Sequence, residues 1–293
     1  KTNCTAMLPL GIVADEISRD FRQAVQTGLQ VGLRRYEIRF LQTGRAPLCE
    51  ERELRDIETI CNNEGVTITA LSPGLFKWTD SAEKFRMEMN EVFPRAVELA
   101  QRWQLSALVV FGFCKPGATE ANADTIAGDN PPPWVIDALT EAAAAAACAN
   151  LQLYIEPEPV CYADRGTTAV ELIRAVNSDN LGINYDPCND AWMLRRDPID
   201  DFAVVAPFIR NVHIKDQRAA PRGSGRPTWV VPGQGMLDWP GHLRALKQSR
   251  YHGPYSLEPH IDGSLDTIRA CKRAIEDIWN EIPVDQNGIL IAP

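Results

Sequence analysis

The sequence predicts an α/β fold, a (β/α)8 barrel that spans residues 1–293 as a single domain. Short apolar runs with strand-forming residues alternate with helical stretches eight times along the chain. The runs are continuously apolar rather than alternating in polarity, as expected for parallel strands that are buried on both faces. The chain length of 293 residues is one at which α/β barrels commonly form a single unit.

The eight predicted strands are short and rich in β-branched and aromatic residues. They are Leu10–Ala14, Arg35–Ile38, Thr67–Leu71, Ala107–Phe111, Gln152–Ile155, Leu181–Tyr185, Ile209–Ile214 and Pro254–Leu257. Strict alternation of strands and helices leaves two main architectures, a doubly wound open sheet and a closed barrel. A dinucleotide-binding open sheet should carry a glycine-rich turn after its first strand, and Gly11–Glu16 has none. The eight repeats therefore favour the barrel.

Helices are predicted between these strands from apolar spacing and from terminal residues. Asp80, with Glu83 three residues later, predicts a capped start for a long third helix that reaches Trp103. The three prolines at 131–133 precede a helix that runs to Asn150, since proline is tolerated in the first helical turn. The first, second and last helices are marked by apolar stripes. The stripes comprise Phe21, Val25, Leu29, Leu54, Ile57, Ile60, Cys61, Leu265, Ile268, Cys271, Ile275, Ile278 and Ile282.

Three further segments complete the organisation of the chain. Thr168 and Glu171 have the spacing of a capping box and predict the start of the helix after the fifth strand. Gln217–Asp238 is rich in Gly, Pro and Arg and is too long for an ordinary connection, so it is predicted as a loop over the rim of the barrel. Residues from about 283 to 293 are predicted as a tail outside the barrel.

Composition excludes several classes of protein. A net charge of −9 disfavours a nucleic-acid partner, because binding to a phosphate backbone depends on excess Lys and Arg. The eight cysteines are scattered without a C-x-x-C pair, which argues against a zinc knuckle or a disulfide scaffold. Such cysteine usage is typical of a reducing, cytoplasmic location. The longest apolar stretch, Ala142–Ala149, is too short for a membrane span, so no membrane partner is expected.

Four polar residues each close one of the last four predicted strands. They are Glu156, Asp186, His213 and Glu258. The carboxyl ends of parallel barrel strands open onto one rim, so these side chains should converge although they are far apart in sequence. Three carboxylates and one imidazole suit Mn²⁺ best among divalent ions, with Mg²⁺, Co²⁺ or Zn²⁺ as alternatives. Any one of these residues alone is more often a solvated polar group at a strand end, but four on successive strands indicate one divalent metal ion.

Five sequence runs carry a resemblance to a known family. They are Tyr154–Pro157, Asn184–Asn189, Val212–Asp216, Gly233–Trp239 and Gly253–Glu258. These runs resemble the xylose isomerase-like TIM barrels, a superfamily of sugar isomerases and epimerases, inosose dehydratases and an endonuclease branch. The resemblance spans nearly the whole chain. It implies that the four residues named above bind a single divalent cation and that the protein is an enzyme that acts on small sugars. It also implies a homodimer or homotetramer.

Within that superfamily, the ketose 3-epimerases use their two metal-binding glutamates as an acid/base pair, which implies the same role for Glu156 and Glu258. The sequence departs from that branch at Asn189, where the epimerases carry a histidine, and at Pro157–Glu158, where related barrels have Asn-His. The endonuclease branch needs more histidines than the four present here. These departures weaken the assignment to ketose 3-epimerases and leave the superfamily assignment intact.

The ligand set predicts a metal-dependent isomerase or epimerase that transfers a proton through an enediolate. The alternatives are a sugar or inosose dehydratase on the same site and a catalytically silent sugar-binding barrel. Six further residues at predicted rim positions are candidate substrate contacts. They are Glu37, Trp78, Lys115, Asn189, Lys215 and Arg218. An ordinary role in packing or salt bridges competes with this interpretation for each of them. The absence of a phosphate-binding glycine loop favours an unphosphorylated sugar.

Overall fold

The computed structural model describes residues 8–126 and 130–283. Eight parallel strands form its central sheet, and their bounds agree with the predicted runs to within one residue at each end. They are β1 Leu10–Val13, β2 Arg35–Ile38, β3 Thr67–Leu71, β4 Ala107–Phe111, β5 Gln152–Glu156, β6 Leu181–Tyr185, β7 Ile209–Ile214 and β8 Tyr255–Leu257. The predicted tail from about residue 283 falls almost entirely on residues 284–293, which lie outside the described residues.

The strands close into a nearly complete barrel. Hydrogen-bonded neighbours follow the order β3-β2-β1-β8-β7-β6-β5-β4, and every ladder in this sheet is parallel. The two end strands, β3 and β4, lie side by side. The backbone N–H of Phe111, at the end of β4, donates to the carbonyl of Leu75 beyond β3 at 3.0 Å. The predicted (β/α)8 barrel is therefore confirmed.

Helices connect the strands around the outside of the barrel. They are α1 Phe21–Leu29, α2 Glu51–Glu64, α3 Ala82–Glu91, α4 Phe93–Arg102, α5 Pro133–Cys148, α6 Gly166–Val176, α7 Pro187–Leu194, α8 Phe202–Val205, α9 Trp239–Gln248 and α10 Leu265–Glu281. Their apolar stripes face the strands, as in α10, where Ile268, Cys271 and Ile275 are fully buried. Among the described residues, none of the helices has the length and apolarity needed to cross a membrane.

Three predicted helix details are wrong. The single long third helix is two helices, because Pro94 lies at the start of α4 and its ring is incompatible with a continuous helix through Val92. Ser81, rather than Asp80, caps α3 and accepts a hydrogen bond from the Lys84 N–H at 3.4 Å. In α6, Thr168 is the third helical residue rather than the cap, and its hydroxyl accepts from the Arg165 N–H at 3.0 Å.

The long segment after β7 crosses the rim as predicted. At its start, Asp216–Gln217 pairs with Trp229–Val230 in a short antiparallel ribbon. The ribbon begins two residues after β7 ends, so it lies next to the carboxyl end of that strand. This placement brings the segment close to the residues that close β5 to β8.

Candidate metal centre at the barrel rim

The four predicted ligands converge at the carboxyl ends of β5 to β8. Glu156 is the last residue of β5, Asp186 follows β6, His213 is the penultimate residue of β7, and Glu258 follows β8. Each offers one donor atom, and these atoms all lie within 4.8 Å of one another. The four residues are at most 4% exposed. The barrel thus assembles a compact, buried set of three carboxylates and one imidazole.

The imidazole of His213 is held by carboxylates on both of its nitrogens. Nδ1 faces the cluster, 3.2 Å from Glu258 Oε2 and 3.5 Å from Glu156 Oε1. Nε2 lies 3.0 Å from Oε2 of Glu37, whose same oxygen also accepts from Asn211 Nδ2 at 3.2 Å. Burial alone would lower the pKa of His213, but Glu37, Glu258 and Glu156 outweigh it and hold that pKa well above its ordinary value.

Lys215 lies inside the cluster rather than at its edge. Its ammonium Nζ is 2.6 Å from Asp186 Oδ2 and 2.8 Å from Glu258 Oε2. Burial raises the pKa of Asp186 and Lys215 only partly opposes this effect, so the pKa of Asp186 is raised. Asp186 also caps α7, because its Oδ1 accepts from the backbone N–H groups of Cys188 and Asn189.

Arg39 is a central residue that sequence reasoning missed. Its guanidinium contacts Glu258 Oε1, and it also pairs with Asp15 Oδ2 at 3.0 Å and Glu16 Oε1 at 2.8 Å. His260 Nδ1 in turn lies 2.8 Å from Glu16. The available signal was position, since Arg39 directly follows β2, whose carboxyl end opens onto the same rim.

Glu258 and Glu156 lie in different electrostatic surroundings. Both oxygens of Glu258 contact a cationic side chain, Arg39 on one and Lys215 on the other. Burial would raise the pKa of Glu258, but Lys215 and the nearby histidines outweigh it and hold that pKa well below its ordinary value. Glu156 accepts from the neutral amide of Asn184 at 3.2 Å and contacts His213, and burial would raise its pKa but His213 and Lys215 outweigh burial and lower it.

The charge balance and the donor set both fit a divalent cation. Six carboxylates gather here against two cationic side chains and the imidazole of His213. The carboxylates are those of Asp15, Glu16, Glu37, Glu156, Asp186 and Glu258, and the cations are Arg39 and Lys215. Excess negative charge in a buried site is costly, and bound cations offset it. Three carboxylates with one imidazole suit Mg²⁺, Mn²⁺ or Zn²⁺.

Two of the predicted substrate contacts instead join rim loops to each other. Lys115, beyond β4, is buried and its Nζ pairs with Asp164 Oδ2 at 2.7 Å. Asn189 is buried in α7, and its Nδ2 donates to the carbonyl of Pro157 at 2.8 Å. Both residues therefore lie at the rim, and their side chains contact other protein groups there.

Two other predicted substrate contacts, Trp78 and Arg218, have exposed side chains. Trp78, in the loop after β3, is 44% exposed. Arg218 is exposed, and its backbone N–H donates to the carbonyl of Thr228 across the base of the rim segment. A different aromatic residue faces the cluster, since the ring centroid of Trp229 lies 5.7 Å from Lys215 Nζ. Only the ribbon places Trp229 there, and no sequence motif marked it.

Solved structures share this fold at low sequence identity. The IOLI protein solved with a bound zinc atom is 19% identical, with a TM-score of 0.72, and the match covers 94% of this chain and 99% of that one. A xylose isomerase-like TIM barrel protein from Mycobacterium smegmatis, solved in complex with magnesium, is 17% identical, with a TM-score of 0.70 and coverages of 95% and 98%. An L-ribulose 3-epimerase is 15% identical, with a TM-score of 0.70 and coverages of 94% and 95%.

No curated protein sequence matches the chain significantly. A family pattern does match, over residues 25–279, and it is the one described as xylose isomerase-like TIM barrel. That span covers most of the 293 residues and includes all four residues of the candidate metal centre. The chain belongs to the xylose isomerase-like TIM barrel family.

Proposed function

We propose that this protein is a divalent-metal-dependent isomerase or epimerase of a small, unphosphorylated sugar. The observation that carries the proposal is the convergence of Glu156, Asp186, His213 and Glu258 donor atoms within 4.8 Å in a buried cluster. Structural neighbours solved with zinc or magnesium, and one that is an L-ribulose 3-epimerase, support it. We propose one ion, with Mn²⁺ as the first to test.

The rim charges support a neutral substrate. Lys77, Lys115 and Lys215 each pair with a carboxylate, at 3.0, 2.7 and 2.6 Å. A phosphate or carboxylate that bound to one of these lysines would have to displace its carboxylate partner and approach the excess of carboxylates. A polyhydroxylated carbonyl compound needs no such exchange, because its hydroxyls can donate hydrogen bonds to carboxylates.

The two glutamates are assigned different parts of one proton transfer. When bound, a divalent ion supplies Lewis acidity that lowers the pKa of the C–H beside a sugar carbonyl. Glu156, whose partner Asn184 is neutral, accepts that proton. Glu258 returns a proton that it receives from the Lys215 ammonium 2.8 Å away, and exchange with solvent then removes the proton from Glu156 and restores the one on Lys215. Return to the opposite face gives an epimer, and return to the neighbouring carbon gives an aldose–ketose isomer.

Glu37 is assigned to the metal centre rather than to the sugar. It is 1% exposed, and its carboxylate contacts Nε2 of His213. A carboxylate at that nitrogen favours the tautomer with the proton on Nε2, which leaves the Nδ1 lone pair free to bind a metal ion. We therefore propose Glu37 as a positioning residue for His213.

Deuterium exchange tests the proposed function. The Mn²⁺-loaded protein is incubated in D₂O with a panel of unphosphorylated ketopentoses and ketohexoses that includes L-ribulose. Incorporation of one deuterium beside the carbonyl, detected by mass spectrometry and NMR, is expected, with loss of incorporation in Glu156→Gln. Formation of an unsaturated carbonyl product, visible by its ultraviolet absorption, would identify the dehydratase instead. No exchange with any sugar despite bound Mn²⁺ would refute the proposal and favour the silent sugar-binding barrel.

A further inference from the structure

The candidate metal centre is covered by the segment that follows β7. Its four donor residues and Lys215 are each at most 4% exposed. Trp229, in the ribbon, lies over this group with its ring centroid 5.7 Å from Lys215 Nζ. Because Lys215 contacts both Asp186 and Glu258, the face of the indole is directed at the centre of the cluster.

Aromatic neighbours hold the indole in this orientation. The ring of Trp192, from α7, meets that of Trp229 edge to face at 6.4 Å and 87°. The ring of His260, beyond β8, lies 5.2 Å from it. An opening of about 360 Å³ next to the cluster is lined by Trp229 and His260 together with acidic residues that include Glu16. That volume is within the range of small-molecule sites.

The base of the segment is rigidly fixed. Asp216 Oδ2 accepts from the N–H groups of Gly233 and Gly235 at 2.8 and 3.0 Å, and its Oδ1 accepts from Leu237 at 3.2 Å. A Cβ at position 235 would lie 2.1 Å from Asp216 Oδ1, so this close approach requires glycine. The ribbon that carries Trp229 is thereby fixed to β7.

The tip of the segment is fastened to the opposite loop. Asp124, in the loop after β4, is 1% exposed and accepts from the Gly223 N–H at 2.8 Å and from the Arg195 guanidinium. Arg222 Nη1 donates to the Asp124 carbonyl at 3.2 Å, and Arg195 Nη1 donates to Ala220 at 3.0 Å. We call these contacts the Asp124 latch. The latch ties the rim segment across the cluster to the β4 loop.

We propose that Trp229 is the apolar wall that binds the carbon chain of the sugar, and that the Asp124 latch holds this wall over the metal centre. The inference deepens the proposed function and rests on it. A neutral sugar presents hydroxyls on one side and C–H groups on another. The carboxylates of the rim bind the hydroxyls, whereas a flat indole face is suited to the C–H groups.

Trp229 takes this role in place of Trp78, which was a predicted substrate contact. Trp78 was the aromatic residue that the sequence suggested, and its side chain is 44% exposed. Trp229 is partly buried and directed at Lys215.

Substitution of the two tryptophans tests the wall. Steady-state kinetics are measured with the ketose that exchanges fastest in the deuterium assay. Trp229→Ala should raise KM about tenfold, the effect of losing an aromatic contact of about 1.4 kcal/mol, with a smaller change in kcat. Trp229→Phe should recover most of the loss. An unchanged KM in Trp229→Ala, or a larger increase in Trp78→Ala, overturns the proposal.

A double-mutant cycle tests the latch. Asp124→Ala should raise KM in the same direction as Trp229→Ala, and the double variant should be no worse than Trp229→Ala, because the latch acts through the indole. Fully additive increases in KM in the double variant would overturn the proposed role of the Asp124 latch.

Calorimetric titration with ribitol in the presence of Mn²⁺ tests the Trp229 wall separately from the proposed isomerase or epimerase activity. If no ketose is turned over, weaker ribitol binding by Trp229→Ala still supports the wall, whereas equal binding overturns it.

Discussion

Replacement of Glu37 by glutamine should weaken metal binding without removing a metal ligand. Oε2 of Glu37 lies 3.0 Å from Nε2 of His213, and both residues are at most 2% exposed. A hydrogen bond to a charged group contributes about 1.5–3 kcal/mol, and loss of such a partner typically lowers metal affinity about 10- to 100-fold. Glutamine can also turn its NH₂ toward Nε2, which favours the proton on Nδ1 and blocks the nitrogen that faces Glu156 and Glu258.

The assay is titration of Mn²⁺ followed by electron paramagnetic resonance, which counts free Mn²⁺ without any need for turnover. Glu37→Gln should raise the Mn²⁺ Kd about 10- to 100-fold. Glu158→Gln is the matched control, since this rim carboxylate pairs with Lys77 at 3.0 Å and has no contact with His213 among the described interactions. An unchanged Kd in folded Glu37→Gln, or the same loss in both variants, would refute the assigned role of Glu37.

Other predictions separate ligation, proton transfer and folding. Glu156→Gln should lower turnover by about 10²–10⁴-fold while it still binds Mn²⁺, because an amide oxygen can coordinate but does not accept a proton at neutral pH. His213→Ala should lose Mn²⁺ affinity and regain activity at high Mn²⁺; equal rescue of both variants would make Glu156 a ligand only. Burial raises the pKa of Asp197, but hydrogen bonds from His242 and the Asp238 N–H outweigh it and lower that pKa. Its stabilisation is therefore present above about pH 4 and is lost as the pH falls further. The stability difference between wild type and Asp197→Asn, from urea unfolding, should shrink below pH 4, and growth of that difference would contradict the assignment.

The sequence by itself determined the barrel and the four convergent residues. Strands buried on both faces leave continuous apolar runs, so the runs at residues 107–111 and 181–185 could be located to the residue. A polar residue that ends such a run lies at the carboxyl rim in any parallel barrel, which is why Glu156 and Asp186 could be grouped from local pattern alone. The ends of the helices were less well predicted. Ser81 rather than the neighbouring Asp80 caps α3, and Pro94 divides the predicted third helix in two, because capping and helix-breaking residues lie within one or two positions of other candidates.

Only the tertiary structure decided which side chains meet inside that rim. Arg39 contacts Glu258, which is 219 residues away in sequence, and Glu37 contacts His213 across the barrel. Trp229 reaches the cluster because Asp216 fixes the base of its segment and Asp124 fixes the tip. Contacts of this kind depend on barrel closure and on the path of a long connection, which no short-range periodicity encodes. Local patterns thus specify which strand end a residue occupies, whereas packing specifies its partner.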